Sequence, residues 1–164
     1  MTTPARELIS MLVPCYNEQE VIRLCHQRID EALAPLSQDY DFEIVYVNDG
    51  SRDSTLAALL EIADQDTRVT VINLSRNFGK ESAMTAGLDH IAGDAVIILD
   101  ADLQDPPELI PDLLKIWKEE NADVVYGQRI SRLGETWLKK FTAAAFYKVM
   151  NRISRVDIPV NTGD

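Results

Sequence analysis

Short apolar runs alternate with mixed apolar and polar stretches along the 164-residue chain. The runs are continuous rather than alternating with polar residues, which is typical of strands buried on both faces of a sheet. The predicted strands cover residues 8–13, 42–47, 69–74, 95–99 and 123–127, and the predicted helices lie near residues 18–34, 54–65, 80–91, 108–120 and 135–154. Because strands and helices alternate, we predict an α/β fold with a mainly parallel sheet flanked by helices.

Polar, charged and Gly-containing loops follow the predicted strands. They read PCYNE (14–18), NDGSRD (48–53), SRNFGK (75–80), DADLQD (100–105) and GQRISR (127–132). In an open α/β sheet, ligands bind beyond the carboxyl ends of the strands. Because parallel strands bring all these loops to one edge of the sheet, we expect a binding site there.

The most acidic of these loops follows the fourth predicted strand. Residues i and i+2 of an extended chain point the same way, so Asp100 and Asp102 are expected to converge. Two such carboxylates suit a hard divalent cation, Mg²⁺ or Mn²⁺, but acidic turns are common and a pair spaced DxD leaves both interpretations open. Asp105 and Glu108 have a structural explanation, because Asp-Pro-Pro-Glu is typical of a helix start with Asp105 as N-cap and Glu108 at N3.

Two further loops carry candidate nucleotide-binding residues. Arg76 and Lys80 flank Gly79 before a predicted helix, so they either cradle a phosphate or lie on the surface beside a turn. Asp49 either caps a turn or accepts the ring N–H of uracil or guanine. Both bases present such a donor, so Asp49 does not distinguish between them. The chain contains neither a GxxxxGK[ST] nor a GxGxxG motif.

The distribution of charge along the chain indicates which kinds of partner are expected. The net charge of −11 argues against general nucleic-acid binding, so no nucleic-acid partner is expected. Residues 129–155 hold seven Lys and Arg but only one acid, a net +6, which leaves −17 for the rest of the chain. This basic segment either faces an anionic surface or forms a solvated helix face. The only two cysteines, Cys15 and Cys25, are expected to be reduced thiols rather than a disulfide.

Several motifs, taken together, resemble those of a known family. The segments VPCYNEQE, VNDGSRDST, LSRNFGKESAMTAGLDHIAGDAVIILDADLQDPPE and NTGD resemble the family-2 glycosyltransferases of the polyprenyl-phosphate type. These are the bactoprenol glucosyltransferases and, more distantly, the dolichol-phosphate mannose synthases. The resemblance covers almost the whole chain and implies a Rossmann-like nucleotide-diphospho-sugar transferase fold, known as the glycosyltransferase A-type fold.

The resemblance implies roles for the residues that match the family's motifs. On the donor side, Pro14, Tyr16 and Glu18 would line the nucleoside pocket, Asp49 would contact the base, and Arg76 and Lys80 would lie near the diphosphate. Asp100, Asp102 and Gln104 match the segment that binds the cofactor, Mg²⁺ or Mn²⁺.

The resemblance also assigns catalytic residues, which are Asp102, Arg129 and Asp164. Arg129 and Arg132 match basic residues of the loop that faces the donor and acceptor phosphates. Asp164 matches the acidic residue of a GDFR-like motif, discussed in the family both as a base and as an organiser of the site. Both roles for Asp164 stay open.

The implied activity is inverting transfer of a hexose from a nucleoside-diphosphate sugar to a polyprenyl phosphate at the cytoplasmic face of the cell membrane. UDP-glucose is the favoured donor. GDP-mannose as donor, or a non-catalytic nucleotide-sugar-binding module, are the alternatives. A receiver domain and an aspartyl phosphatase fit less well: Gly127-Gln128-Arg129 replaces the receiver's lysine, and the phosphatase motif would follow the first strand.

Residues 1–164 are interpreted as a single catalytic domain. The family pattern continues beyond the position of Asp164, so the sequence is expected to be a truncated, soluble catalytic domain without the acceptor side and membrane segments. No apolar run approaches the 18 or so residues of a membrane span. A homo-oligomer remains open.

We expect the basic segment, residues 129–155, to hold the protein against anionic membranes and to steer the lipid phosphate inward. Co-sedimentation with liposomes at low salt should therefore increase with the fraction of anionic lipid and weaken as salt is added. Binding that does not depend on the anionic lipid content would favour a solvated basic helix instead.

Overall fold

The computed structural model describes residues 6–127. Several predicted features lie outside this range: the helix at 135–154, the basic segment 129–155, and the candidate residues Arg129, Arg132 and Asp164. No helix of the described part is both long enough and apolar enough to cross a membrane.

A four-stranded parallel sheet forms the centre of the described part. Its strands are β1 (Glu7–Cys15), β2 (Tyr40–Asn48), β3 (Val69–Asn73) and β4 (Ala95–Ile98), in the order β3-β2-β1-β4. Every pairing in the sheet is parallel. The order of the strands changes direction between β1 and β4, which is the kind of position where open α/β sheets bind ligands. The predicted parallel α/β fold is therefore confirmed for these residues.

Helices cover both faces of the sheet. They are α1 (Ile22–Leu33), α2 (Thr55–Gln65), α3 (Lys80–Leu88) and α4 (Ile110–Glu120), with 3₁₀ turns at Ala34–Leu36 and Pro107–Leu109. The larger core cluster contains residues of α1, α2 and α4 together with Met11 and Tyr46 of the sheet. The smaller cluster lies under α3 and joins Ala83 to Leu12 and Val47. Adjacent residues of β1 thus enter opposite cores, which explains why the run is continuously apolar.

The fifth predicted strand, residues 123–127, is wrong: this segment has no strand pairing in the described part. Val124 is 76% exposed and Tyr126 is 66% exposed. The β4 strand also departs from the prediction, because Ala95 and Ile97 on one face are half-buried while Val96 and Ile98 on the other are exposed. An apolar sequence is compatible with a buried strand and with an edge segment, and only hydrogen-bonding partners distinguish the two.

The predicted N-cap at Asp105 is also wrong by one residue. The 3₁₀ turn before α4 has Pro106 at its N-cap position, without a side-chain cap. Glu108 does not cap the helix but accepts two hydrogen bonds from the guanidinium of Arg28 on α1, at 2.8 and 2.7 Å. This bidentate pair fixes the turn to α1, so a tertiary contact takes the place of the local cap.

The loop before β4 is fixed to β1 and β2 by a compact polar contact. One carboxylate oxygen of Glu43 accepts from Ser10 Oγ at 2.5 Å, Ala92 N at 2.6 Å and Gly93 N at 3.1 Å. A Cβ added at Gly93 would lie 2.3 Å from Ser10 Oγ and 2.8 Å from the carbonyl oxygen of Leu8. Only a residue without a side chain fits here.

Gly93→Ala should lower the free energy of unfolding by about 2 kcal/mol, because the methyl group overpacks against backbone atoms of β1. Urea denaturation of both proteins measures the difference. Gly127→Ala is the matched control, since no atom of residues 6–127 lies within 4 Å of a Cβ at that position, and it should change stability by less than about 0.5 kcal/mol. Equal stability of the two variants would contradict the close packing at Gly93.

Candidate functional site

A cavity of about 320 Å³ lies beyond the carboxyl ends of β1, β2 and β4 and beside the start of α3. The strand ends and loops that surround it supply Pro14, Cys15, Tyr16, Glu18, Asp49, Asn77, Gly79, Lys80, Ala83, Asp100, Ala101 and Asp102. Four of these residues are acids and one is a cation, so the described lining is strongly acidic.

Most candidate residues of the described part meet in this cavity. Those that line it are Pro14, Tyr16, Glu18, Asp49, Lys80, Asp100 and Asp102. Arg76 and Gln104 do not. Arg76 places its guanidinium over the ring of Phe78, 4.8 Å from the ring centre. Gln104 instead lines a neighbouring groove beside β4 and α4.

Asn77 is a cavity residue that the sequence did not single out. Its position inside SRNFGK, between the two basic residues, was the only available signal. Cys15 also lines the cavity, but burial raises the pKa of its thiol well above the usual range, with Cys25 and Glu18 adding to the shift. Both cysteines are buried and free, as expected. The charged neighbours that act on the Cys15 thiol in the described part raise its pKa, which is the opposite of activation.

Asp49 joins the end of β2 to the loop before α3. It is almost fully buried, and its two carboxylate oxygens accept the backbone N–H groups of Phe78 at 2.7 Å and Gly79 at 2.9 Å. These amides belong to the loop that leads into α3, where an anion would otherwise bind. The turn-capping interpretation of Asp49 therefore describes its contacts in this structure, and a base contact would use the remaining acceptor positions of the same oxygens.

The glycine after Asp49 permits this contact. Gly50 has a φ of +63°, and a Cβ there would lie 2.3 Å from the carbonyl carbon of Arg76. The loops after β2 and β3 therefore touch through their backbones. Sequence alone shows the Asp-Gly pair as a turn and does not show that the turn packs against the neighbouring loop.

Asp100 and Asp102 meet in the cavity by a different route from the one expected. The β4 strand ends at Ile98, and the chain turns at Ala101 and Asp102 rather than continuing extended. Leu103 has a φ of +61°, and Asp102 Oδ1 accepts the backbone N–H of Gln104 at 2.9 Å. The extended geometry was wrong, but the turn still places both carboxylates on the cavity wall.

Lys80 and Asp100 form an ion pair across the cavity. Lys80 Nζ lies 2.7 Å from Asp100 Oδ1 and 2.9 Å from Oδ2. Lys80 is the first residue of α3 and Asp100 follows β4, so the pair links two sides of the site. Among the described residues that line the cavity, Lys80 carries the only positive charge.

The pKa of Glu18 depends on the other acids of the site. Burial raises its pKa, and the charges of Asp102, Asp53 and Asp100 raise it further. Its backbone N–H donates to Thr55 Oγ1 at 2.8 Å, which fixes the loop after β1. The direction of the shift shows that the carboxylates act on one another and that additional positive charge in the cavity would be favourable.

The donor set fits a divalent cation that is shared with a bound anion. In the described residues no group of three or more His, Cys, Asp and Glu side chains could hold a metal by itself. Two carboxylates, Asp100 and Asp102, do line one cavity. Mg²⁺ is typically bound by one or two carboxylates together with substrate phosphates and water, and this donor set matches that pattern.

The chain matches the family described as Glycosyl transferase family 2 over residues 10–164. It is 50% identical over 156 residues to the glycosyltransferase sll0501 of Synechocystis sp., covering 95% of this chain and 48% of that protein. It is 45% identical over 158 residues to the bactoprenol glucosyl transferase of Shigella phage SfV, covering 95% and 50%. The chain therefore spans about half the length of these curated relatives.

Solved structures with similar folds include two with bound nucleotides. The mannosyltransferase PcManGT of Pyrobaculum calidifontis, in complex with GDP-Man and Mn²⁺, superposes with a TM-score of 0.62 and 26% identity over 90% of this chain and 39% of that one. S. aureus TarS 1-349 in complex with UDP gives a TM-score of 0.57 and 26% identity over 78% and 37%.

Asp49→Asn should loosen the loop before α3, because an amide can accept only one of the two backbone N–H groups and turns its own donor toward the other. Hydrogen–deuterium exchange at the amides of Phe78 and Gly79 should become faster, and the free energy of unfolding should fall by about 1–2 kcal/mol. The control is Asp64→Asn on the exposed surface of α2. Unchanged exchange at both amides would contradict the capping role.

Proposed function

The chain belongs to glycosyl transferase family 2. We propose that it transfers a hexose from a UDP-sugar, with UDP-glucose favoured, to a polyprenyl phosphate. The anomeric centre would be inverted, as the family resemblance implies. Membership of the family makes the chain a glycosyltransferase domain. We also propose that residues 1–164 form one catalytic domain.

The acidic cavity at the strand ends is the main support for this proposal. It combines a buried Asp49, two carboxylates in the turn after β4 and a lysine that pairs with one of them, Asp100. Such a site suits a ligand that has a polar ring at one end and phosphates at the other, provided that a cation accompanies the phosphates. The similarity to a bactoprenol glucosyl transferase supports glucose as the sugar and a polyprenyl phosphate as the acceptor.

Asp100 and Asp102 are the proposed metal ligands. Gln104 lies close by, because its backbone N–H donates to Asp102 Oδ1. The Mn²⁺ in the PcManGT complex supports a divalent cofactor, and Mg²⁺ fits the same oxygen ligands. When bound, the cation would act as a Lewis acid that stabilises charge on the departing diphosphate.

The chain's own residues would bind and orient the donor. Pro14, Tyr16 and Glu18 form one wall of the cavity, and we assign the nucleoside to this wall. Lys80 would donate to the diphosphate, and Arg76, which stacks on Phe78 outside the cavity lining, would add positive charge to the same loop. Asp49 would hold that loop in place and offer its remaining acceptor positions to the base.

The acceptor needs little activation. A phosphate monoester has a second pKa of about 6 and is mostly dianionic at pH 7, so it is already a nucleophile. For this reason we assign Asp164 to positioning groups of the site rather than to removing a proton. Arg129 and Arg132 are the proposed contacts to the donor and acceptor phosphates. The corresponding site of action is the cytoplasmic face of the membrane, reached through residues 129–155.

GDP-mannose is the second candidate donor. PcManGT holds GDP-Man, and its structure aligns with 90% of this chain, compared with 78% for the UDP complex of TarS. The bactoprenol relative favours glucose and so UDP, whereas the fuller overlap with the GDP-Man complex favours GDP-mannose. Binding of the two nucleotides therefore distinguishes the candidates.

Isothermal titration calorimetry with UDP, GDP and ADP, each with and without Mn²⁺, tests the proposal. We expect UDP to bind only in the presence of Mn²⁺, and Asp102→Ala to weaken this binding by at least about tenfold, since it removes a charged ligand. Asp64→Ala, which removes a carboxylate from the exposed surface of α2, should bind UDP as the unaltered protein does.

Three other outcomes of this titration would change the proposal. A preference for GDP would replace UDP-glucose with GDP-mannose as the proposed donor. Binding of UDP that is unaffected by both Mn²⁺ and Asp102→Ala would contradict the assignment of Asp100 and Asp102 to a metal. Failure of every nucleotide to bind would contradict a donor site in this chain.

A further inference from the structure

We propose that Lys80 couples metal binding to donor binding by exchanging partners, from Asp100 in the metal-free protein to the donor diphosphate in the complex. This inference rests on the proposed function. It assigns two successive partners to Lys80, whereas a simple phosphate contact would have one. Lys80 Nζ lies 2.7 Å from Oδ1 and 2.9 Å from Oδ2 of Asp100, so the ammonium group contacts both oxygens with which Asp100 would hold a metal.

The position of Lys80 is unfavourable unless it has an anionic partner. It is the first residue of α3, where the helix dipole favours negative charge and disfavours a cation. Asp100 is the described partner that offsets this cost. A lysine at this place is therefore explained by an anion that it must meet, and both Asp100 and a diphosphate qualify.

The ion pair is weak enough to be exchanged. The side chain of Lys80 is 43% exposed and that of Asp100 is 31% exposed, so water screens their attraction. Pairs with such exposure change an equilibrium constant by no more than about fivefold. A divalent cation that also contacts Asp102 can therefore displace Lys80 at little cost, and Lys80 holds Asp100 in place until then.

Once displaced from Asp100, Lys80 remains in the acidic cavity and is available to a ligand that brings its own negative charge. The remaining charged residues of the described lining are acids, namely Glu18, Asp49 and Asp102. The amides of Phe78 and Gly79 next to it already donate to Asp49. A phosphate bound at this helix start would thus receive charge from Lys80 rather than from those two amides. Metal and donor should then each favour binding of the other.

The test compares Lys80→Met with Lys118→Met as matched control. Lys118 is also 43% exposed and pairs with a carboxylate of similar exposure, Glu7, away from the cavity. Binding of Mn²⁺ to the nucleotide-free protein is measured first, by electron paramagnetic resonance of the free ion. Binding of UDP at saturating Mn²⁺ is then measured by calorimetry.

Lys80→Met should change the two constants in opposite directions. Mn²⁺ should bind about two- to fivefold more tightly without nucleotide, because no cation has to leave Asp100. UDP should bind about tenfold more weakly at saturating Mn²⁺, because a charge-assisted contact to the diphosphate is lost. Lys118→Met should change neither constant. A merely structural role for Lys80 would weaken both.

Each other outcome contradicts one of the two proposals. If the unaltered protein binds UDP with Mn²⁺ but Lys80→Met does not tighten Mn²⁺ binding, the exchange is wrong while the proposed function stands. The same holds if UDP affinity is unchanged in the variant, or if neither protein binds Mn²⁺ without UDP. If the unaltered protein binds no UDP at saturating Mn²⁺, the proposed function is wrong and the exchange has no donor to serve.

Discussion

Mutual repulsion of carboxylates is the constraint on which this site depends. Two like charges about 4 Å apart cost about 4 kcal/mol near a protein surface, which is comparable to a large part of a domain's stability. The cavity gathers Glu18, Asp49, Asp100 and Asp102 on strand ends that the parallel sheet forces together. Each acid therefore needs a compensating partner. Asp49 has two backbone amides, Asp102 has the amide of Gln104, and Asp100 has Lys80.

The acids of the cavity differ in how their charge is compensated. Asp49 is almost fully buried and its partners are backbone groups, which cannot leave without breaking the loop before α3. Asp100 is partly exposed and its partner is a flexible side chain that can move elsewhere. Burial raises the pKa of Glu18, and the charges of its acidic neighbours raise it further. The contacts of Asp49 are therefore fixed by the backbone, whereas the contact of Asp100 depends on a side chain that can move.

Much of this arrangement could be predicted from the sequence, and the reasons differ between elements. The buried strands β1 and β2 follow from continuous apolar runs, and the alternation with helices fixes their parallel pairing. The predicted strand at 123–127 failed because its apolar residues carry no information about pairing, and here they remain exposed beside the sheet edge. The N-cap at Asp105 failed because Arg28, eighty residues away, takes Glu108 into a bidentate pair. Local rules cannot anticipate a distant partner.

Convergence of loops was predictable, but the contacts between them were not. The strand-end rule places Asp49, Lys80 and Asp100 at one edge of the sheet without stating which touches which. The contact between Asp49 and the loop before α3 needs Gly50 at a positive φ, with the backbone of Arg76 packed against its α-carbon. The same loop leads into α3, whose first residue, Lys80, contacts Asp100. Backbone packing at Gly50 supports the loop that precedes this lysine, so the charge contacts of the cavity depend on backbone packing as well as on the acidic motif.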